Sequence, residues 1–393
     1  MENRKYDIVL FGATGFTGSL VAEYFAQNVS FKKVKWALAG RNTEKLNAIK
    51  NKLIAINPEC EQADILQCNS ENLSSLENVT AQTKIIVTTV GPFVLHGEAL
   101  VQACVNTGTN YCDITGEPEF VKAVLKQHDK AAKEKGIYII NCCGFDSIPA
   151  DAGAYFTALQ LPANETKTIK GFVSTNATFS GGTYASAIGA MATVGKDFSF
   201  FPSKNKDAKS ESTRVKKRIK SSIYFDKDLK KWALPMPVID PWMVIRTSAY
   251  RREVFGSNFE YAQFLSMPNL PAAIGLVGTV GALMLGAQIK PVRDLLLQYR
   301  KSGEGPNQEE RDKSYFKLMF IGESETKKVI TKVSGGDPGY TETSKMLSET
   351  ALTLLENLGK LPIKGGVLTP SGTLGSLLIE KLQSKGIKFE VVE

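Results

Sequence analysis

Three glycines at intervals of three residues stand in the run Gly12-Ala13-Thr14-Gly15-Phe16-Thr17-Gly18. The apolar stretch Tyr6-Asp7-Ile8-Val9-Leu10-Phe11 leads into it, and Ser19 to Gln27 carry apolar residues at helical spacing behind it. Strand, glycine turn and helix in that order build a cradle for a dinucleotide pyrophosphate. Gly12 permits the tight turn, Gly15 lets the backbone approach the phosphates, and Gly18 allows the helix to pack closely on the strand. Thr14, Phe16 and Thr17 line the same turn, where the helix N-terminal amides face the phosphates. The spacing is GxxGxxG rather than GxGxxG, which serves the same physics.

A second strand is expected over Val34-Lys35-Trp36-Ala37-Leu38-Ala39, running into Gly40-Arg41-Asn42. A free ribose 2′-hydroxyl is usually met here by Asp or Glu. This chain has Arg41, with Lys45 one helical turn later. Cations at that place suit a 2′-phosphate, so the expected cofactor is NADP rather than NAD. Asp64-Ile65 reads as the end of a third strand and a border for the adenine. Gly91 and Pro92 follow an apolar strand, Lys84 to Val90, and are expected to close the cofactor site.

The elements that must position these residues alternate as β and α. A fifth strand and turn are expected over Asn110 to Glu117, and a sixth strand over Gly136 to Cys143 delivers Gly144-Phe145-Asp146-Ser147-Ile148-Pro149. In an open α/β sheet the ligand lies outside the carboxyl ends of the strands. That directs attention to Gly91, Pro92, His96, Tyr111, Asp113, Gly116, Asp146 and Ser147. Hydride transfer needs a positioned proton donor, and His96, Tyr111, Asp146 and Ser147 are the candidates. Each also has a structural reading: His96 as a helix cap, Tyr111 as core, Asp146 as a tie for the turn before Ile148-Pro149.

At 393 residues, 43% apolar and 22% charged, the chain can bury a large core and form two or three domains. The net charge of +8 is concentrated: between Ser203 and Lys231 stand 11 Lys/Arg and 4 Asp/Glu. Few aromatics interleave that stretch and no recognition fold accompanies it, so nucleic acid is not the expected partner. Cys60, Cys68, Cys104, Cys112, Cys142 and Cys143 form no CxxC pair, and only His96 and His128 could join them as ligands. No metal site is expected, and reduced buried thiols fit an intracellular protein. An apolar strand within a few residues of Met1 argues against a signal peptide, so the sequons at Asn28, Asn78, Asn164 and Asn176 are not expected to be glycosylated.

GATGFTG, AGRN, VGPF, YCDITGE and GFDSIPAD, in this order, resemble the saccharopine dehydrogenase-like oxidoreductases, a family that includes trans-acting enoyl reductases of lipid assembly. Ser334-Gly335-Gly336-Asp337-Pro338-Gly339-Tyr340 and Gly366-Val367-Leu368-Thr369-Pro370 extend the resemblance over nearly the whole chain. It implies a Rossmann domain, a second α+β domain, and hydride transfer to a lipid-linked or amino-acid-linked substrate. It also implies a C-terminal stretch that returns to the Rossmann domain, in line with a helix over Leu374 to Leu382 and a strand over Phe389 to Val392.

One segment departs from a soluble dehydrogenase. Leu270 to Ile289 carries no charge, and twenty helical residues would reach ~30 Å, about the hydrocarbon thickness of a bilayer. A full span would separate the downstream strand from its sheet, whereas a re-entrant hairpin or interfacial helix keeps both flanks on one side. The alternative is a fully buried core helix. The basic stretch upstream, if not merely a solvated loop, would favour an anionic lipid surface.

The expected fold class is therefore α/β: a Rossmann-type doubly wound parallel sheet with a second α+β domain and an apolar membrane-associating segment. The NAD(P)-binding domain covers 1–150, completed by about 346–393. A domain for substrate and dimerisation, with an antiparallel sheet, covers 151–345 and contains the basic loop 203–231 and the apolar segment 270–289. The expected function is NADP-dependent reduction of a lipid or lipid-linked substrate at the cytosolic face of a membrane or lipid droplet, with a homodimer plausible. Two alternatives stand beside it. One is a soluble saccharopine-type dehydrogenase whose polycarboxylate substrate meets Arg246, Arg251 and Arg252. The other is a nucleotide-binding lipid-surface protein without turnover.

Overall fold

The computed structural model of the chain describes residues 4–177, 188, 219, 222–299 and 305–393. Strand β1 (Tyr6–Phe11) is buried on both faces, with Ile8 and Leu10 in one apolar cluster and Val9 and Phe11 in another. Double burial is the condition of a parallel sheet covered by helices on each side, and it explains the unbroken apolar run. The chain continues through β2 (Trp36–Gly40), β3 (Asp64–Gln67), β4 (Thr83–Thr88), β5 (Asn110–Asp113) and β6 (Tyr138–Ile140). It then forms β7 (Lys167–Thr175), β8 (Tyr224–Asp226), β9 (Lys231–Pro235), β10 (Phe259–Met267), β11 (Phe316–Glu323) and β12 (Lys328–Gly335). Two short strands follow, β13 (Gly366–Leu368) and β14 (Lys388–Val391).

The first sheet is parallel, in the order β13-β6-β5-β4-β1-β2-β3. Strand order reverses at β1, so the crevice between β1 and β4 is the switch point where such sheets bind ligands. The second sheet has the order β14-β12-β11-β7-β10-β9-β8. The sequence suggested an antiparallel sheet, but β7 and β10 pair in parallel. The long connection between them, through β8, β9 and the helix Asp240–Tyr250, supplies the crossover that parallel pairing needs.

Two helices join the sheets. Ile148–Leu159 leaves β6 and packs on β7, β11 and β12. Its Gly153 lies against the ring of Phe320, where an added Cβ would stand 2.3 Å from Cζ. Thr341–Asn357 leaves the second sheet and lies beside the helix Phe16–Asn28, over β4 and β5. Tyr24 Oη donates to Glu349 Oε1 across that contact at 2.5 Å.

The C-terminal end divides between the sheets, which corrects the expectation that it returns whole to the Rossmann domain. Gly366–Leu368 extends the first sheet beside β6, whereas Lys388–Val391 pairs antiparallel with β12. The physical reason lies in the pattern: Phe389 is buried while Lys388 and Glu390 are exposed, an alternation suited to a one-sided antiparallel edge. Phe389 packs on Phe156, ring centroids 5.8 Å apart.

The apolar segment is the helix Leu270–Gln288, and the buried-core alternative is overturned. Only Ala273 and Ala287 are buried, while Ile274 and Leu285 are 58% and 69% exposed. The helix Lys290–Tyr299 follows and contacts the end of the first, with Val292 against Gly286. Most of the basic loop 203–231 lies outside the described residues; Ile219 and residues 222–231 lie within them.

Gly153→Ala forces its Cβ into Phe320 and should lower stability by about 2 kcal/mol, as overpacked cores do. A melting temperature equal to wild type would show that the two-domain core repacks freely there.

Candidate functional site

At the carboxyl end of β1 the chain turns at Gly12 with φ +103°, a conformation that L side chains rarely adopt. Gly15 N donates to Gly12 O at 3.0 Å, closing the turn. A Cβ at Gly18 would stand 2.0 Å from Gly12 O, so the helix can sit this close only without a side chain there. Gly15 is the N-cap of the helix Phe16–Asn28, and neither a capping side chain nor an acidic residue occupies its first turn. The free amides and the positive end of the helix dipole face outward past the exposed Thr14 and Gly15. This is a site for a phosphate group. Thr17 is half-buried beneath the turn, its carbonyl facing Ser344 Oγ at 3.5 Å.

Arg41 follows the carboxyl end of β2, and both it and Lys45 are exposed at that rim. Asn42 caps the next helix by accepting from Lys45 N at 2.8 Å, which fixes the backbone between the two cations. Gly91 and Pro92 are exposed beyond β4, across the switch point from Gly12. Thr89 N donates to Phe11 O at 3.2 Å, holding that loop against β1.

Asp64 is a correction. It is the first residue of β3, level with Ala37, whereas Gln67 is level with Gly40. Its carboxylate therefore lies at the opposite rim, where it accepts from Tyr6 Oη at 2.6 Å and pairs with Lys5 Nζ at 2.9 Å. The rim next to Arg41 is reached instead by Gln67 and Cys68, whose N donates to Gly40 O at 2.9 Å.

Two proton-donor candidates are also corrected. Tyr111 sits in the middle of β5, fully buried in the apolar cluster beneath the sheet. Ser147 is fully buried where the helix Ile148–Leu159 begins. Neither hydroxyl can meet a substrate. His96 is half-buried at the end of the turn Phe93–His96, and Asp146 is exposed in the loop after β6. A Cβ at Gly116 would stand 2.9 Å from Asp146 Oδ2, so the glycine gives this carboxylate its place.

Buried and half-buried carboxylates hold the loops that carry these groups. Asp113, also singled out from the sequence, is fully buried. Its Oδ1 accepts from Thr115 N at 3.0 Å and Cys142 N at 2.9 Å, and its Oδ2 from Asn141 Nδ2 at 2.7 Å. Burial pushes its pKa up to about 6, against the pull of those hydrogen bonds. Glu117 accepts from Phe93 N at 3.0 Å and Val94 N at 2.8 Å, tying the loop after β5 to the turn that bears His96. Asp151 accepts from Thr247 Oγ1 at 2.5 Å and Ser371 N at 2.8 Å, and burial pushes it up to about 6. Asp240 accepts from Gln263 Nε2, and burial followed by the negative charge of Asp146 raises it well above the carboxylate range. Sequence reading missed Glu117, Asp151 and Asp240. The first two act through partners on other elements, and Asp240 looks like any helix-terminal acid.

The cradle, the uncapped helix and the two rim cations fit a dinucleotide with a 2′-phosphate, and the class so defined is the Rossmann-fold NAD(P)-dependent oxidoreductases. The sequence model of the saccharopine dehydrogenase NADP binding domain matches residues 8–140, in agreement with NADP as the cofactor. The chain belongs to the saccharopine dehydrogenase-like oxidoreductases. It is 31% identical to the mouse saccharopine dehydrogenase-like oxidoreductase, covering 100% of this chain and 98% of the relative. A putative trans-acting enoyl reductase of Mycobacterium tuberculosis is also 31% identical, covering 98% and 97%. The fold matches apo saccharopine dehydrogenase (L-Glu forming) from Saccharomyces cerevisiae, with a TM-score of 0.54 at 12% identity, over 99% of this chain and 100% of that one.

Arg41→Ala should weaken NADPH binding about tenfold or more and leave NADH unchanged, because a charge-assisted contact to one phosphate is removed. Gly15→Asp has room for its Cβ but brings a negative charge to the phosphate site, so both dinucleotides should be lost from a folded protein. Fluorescence titration measures both, and equal losses of NADPH and NADH in Arg41→Ala would remove the 2′-phosphate role.

Asp151 gives a pH signature. Its pKa is raised on folding, so the native state binds the extra proton between about pH 4 and 6 and loses that advantage as pH rises through the window. Across it the wild-type melting temperature should fall relative to that of Asp151→Asn; parallel curves would place Asp151 in a more polar setting than its contacts indicate.

Proposed function

We propose that this chain is an NADPH-dependent reductase of a lipid or lipid-linked substrate, working at the cytosolic face of a membrane or lipid droplet. One observation carries the reading. The uncharged helix Leu270–Gln288 stands largely outside the protein core, and among the described residues nothing lies within 4 Å of where side chains on Gly275, Gly278 and Gly281 would begin. The helix Lys290–Tyr299 that follows it exposes Val292, Leu295 and Leu297 as well. Water-exposed apolar area on this scale marks a contact with lipid or a partner. A hairpin, unlike a single span, leaves both flanks on the side of the enzyme.

NADPH supplies a hydride when bound. His96 and Asp146, on the loops after β4 and β6, are the groups positioned to hand over or receive a proton. The Mycobacterium tuberculosis relative is named for enoyl reduction, so an α,β-unsaturated acyl group on a lipid or carrier is the first electrophile class to test. The amino-acid reading needs a cationic pocket, and two of its arginines are otherwise engaged. Arg246 is buried and donates to Val367 O at 2.7 Å, and Arg251 donates to Thr373 O at 2.8 Å. Both hold the 367–373 segment rather than a cleft.

In flotation with neutral phospholipid vesicles, wild-type protein should rise with the lipid, and Ile274→Glu with Leu285→Glu should stay at the bottom while keeping its NADPH affinity. Wild-type protein that never floats would end the lipid-surface reading. Flotation without NADPH oxidation in the presence of any lipid extract would leave a nucleotide-binding lipid-surface protein.

A further inference from the structure

The phosphate turn is not made by the Rossmann domain alone. Phe16, the first residue after Gly15, is held at its edge by Tyr340, with ring centroids 4.6 Å apart. The segment that precedes β11 covers the same ring. A Cβ on Gly305 would stand 2.4 Å from Phe16 Cε1, so the backbone lies directly against the ring. Arg311, on the short helix Gln308–Asp312, brings its guanidinium to 5.7 Å from the ring centroid.

That guanidinium is short of an anion. Nη1 donates to Pro306 O at 2.9 Å and Nη2 to Gln308 Oε1, both neutral acceptors. Nε is shielded from water and has no protein partner among the described residues. The three carboxylates on its own helix are engaged elsewhere: Glu309 pairs with Lys313, Glu310 accepts from Asn307 N, and Asp312 accepts from Gln308 Nε2. An orphaned donor on a permanent cation, set over the ring of the first residue of that uncapped helix, calls for an acid group that its described neighbours do not provide. Arginine is suited to phosphate oxygens because its fork can meet two at once.

We propose that Arg311 is a ligand of the cofactor's pyrophosphate, so that the dinucleotide site is closed by a strap from the second domain, Gly305 to Lys313. The inference rests on the NADP reading of the glycine turn. It separates two phosphate contacts by position, Arg41 at the 2′-phosphate and Arg311 at the pyrophosphate. The strap follows the apolar hairpin in the chain, so the region proposed to meet lipid and the group proposed to hold the cofactor belong to one continuous stretch.

The test is binding of NADPH, NADH and 2′-AMP to wild type, Arg311→Ala and Arg311→Lys. The probe 2′-AMP carries the 2′-phosphate without a pyrophosphate. Arg311→Ala should weaken NADPH and NADH by a similar factor, about tenfold or more for a charge-assisted contact, and leave 2′-AMP unchanged; Arg311→Lys should recover part of the loss. Unchanged NADPH affinity in Arg311→Ala overturns the proposal. Weakening of 2′-AMP together with the dinucleotides, or no recovery in Arg311→Lys, also overturns it, since either marks a strap that only supports the fold. Failure of wild type to bind any of the three ligands brings down the cofactor reading itself, a result distinct from both.

Discussion

The close approach of Gly18 to the carbonyl of Gly12 sets the distance between the first strand and the first helix. With 2.0 Å between that oxygen and any Cβ at residue 18, only a glycine lets the helix start where its amides overlook the end of β1. From that contact follow the exposed rim at Thr14 and Gly15, the seat of Phe16, and the space in which phosphate oxygens can replace capping side chains. Thr341–Asn357 packs along the helix so placed, and through it the second sheet is carried to the same cleft.

The loops at the cleft are held by acids as well as by apolar packing. Asp113 gathers three donors from the loops after β5 and β6, Glu117 caps the turn after β4, and Asp337 accepts from Tyr340 N and Thr341 N where the second sheet hands over to the long helix. Asp151 does the same between the helices Ile148–Leu159 and Asp240–Tyr250 and the turn at Ser371. A carboxylate can satisfy several backbone amides at once, which suits tight loops whose amides have no strand partner. Burying such groups raises the pKa of Asp113 and Asp151, so the positioning of the loops is linked to protonation as well as to geometry.

The apolar segment obeys a different rule. Its long helix meets β9 and β10 at few points and buries only Ala273 and Ala287, leaving the rest partly or fully exposed. With only those two alanines buried, the helix's uncharged composition is not set by core packing. In the readings proposed above, its continuity in sequence with the strap over Phe16 would give the second domain two tasks, contact with the surroundings and completion of the cofactor site.

The phosphate turn, the class of cofactor and the first sheet were legible in the sequence because their determinants are local. Three glycines, an apolar run and a following cation act within a few residues of one another, and periodicity alone identifies the elements. Other features depended on partners far along the chain. Asp64 was misplaced because one residue's position in a four-residue strand decides which rim of the sheet it occupies, and only pairing with β2 fixes that register. Tyr111 and Ser147 look like reactive hydroxyls until helices and strands from distant segments bury them. The last strand carries an alternating pattern that fits either domain's edge in one dimension, and the tertiary packing of Phe389 on Phe156 assigns it to the second sheet. Arg311 lies nearly three hundred residues from Phe16 in sequence, and no spacing rule joins them. Local chemistry is written in neighbouring residues, whereas burial, register and the pairing of remote charges exist only once the chain has closed on itself.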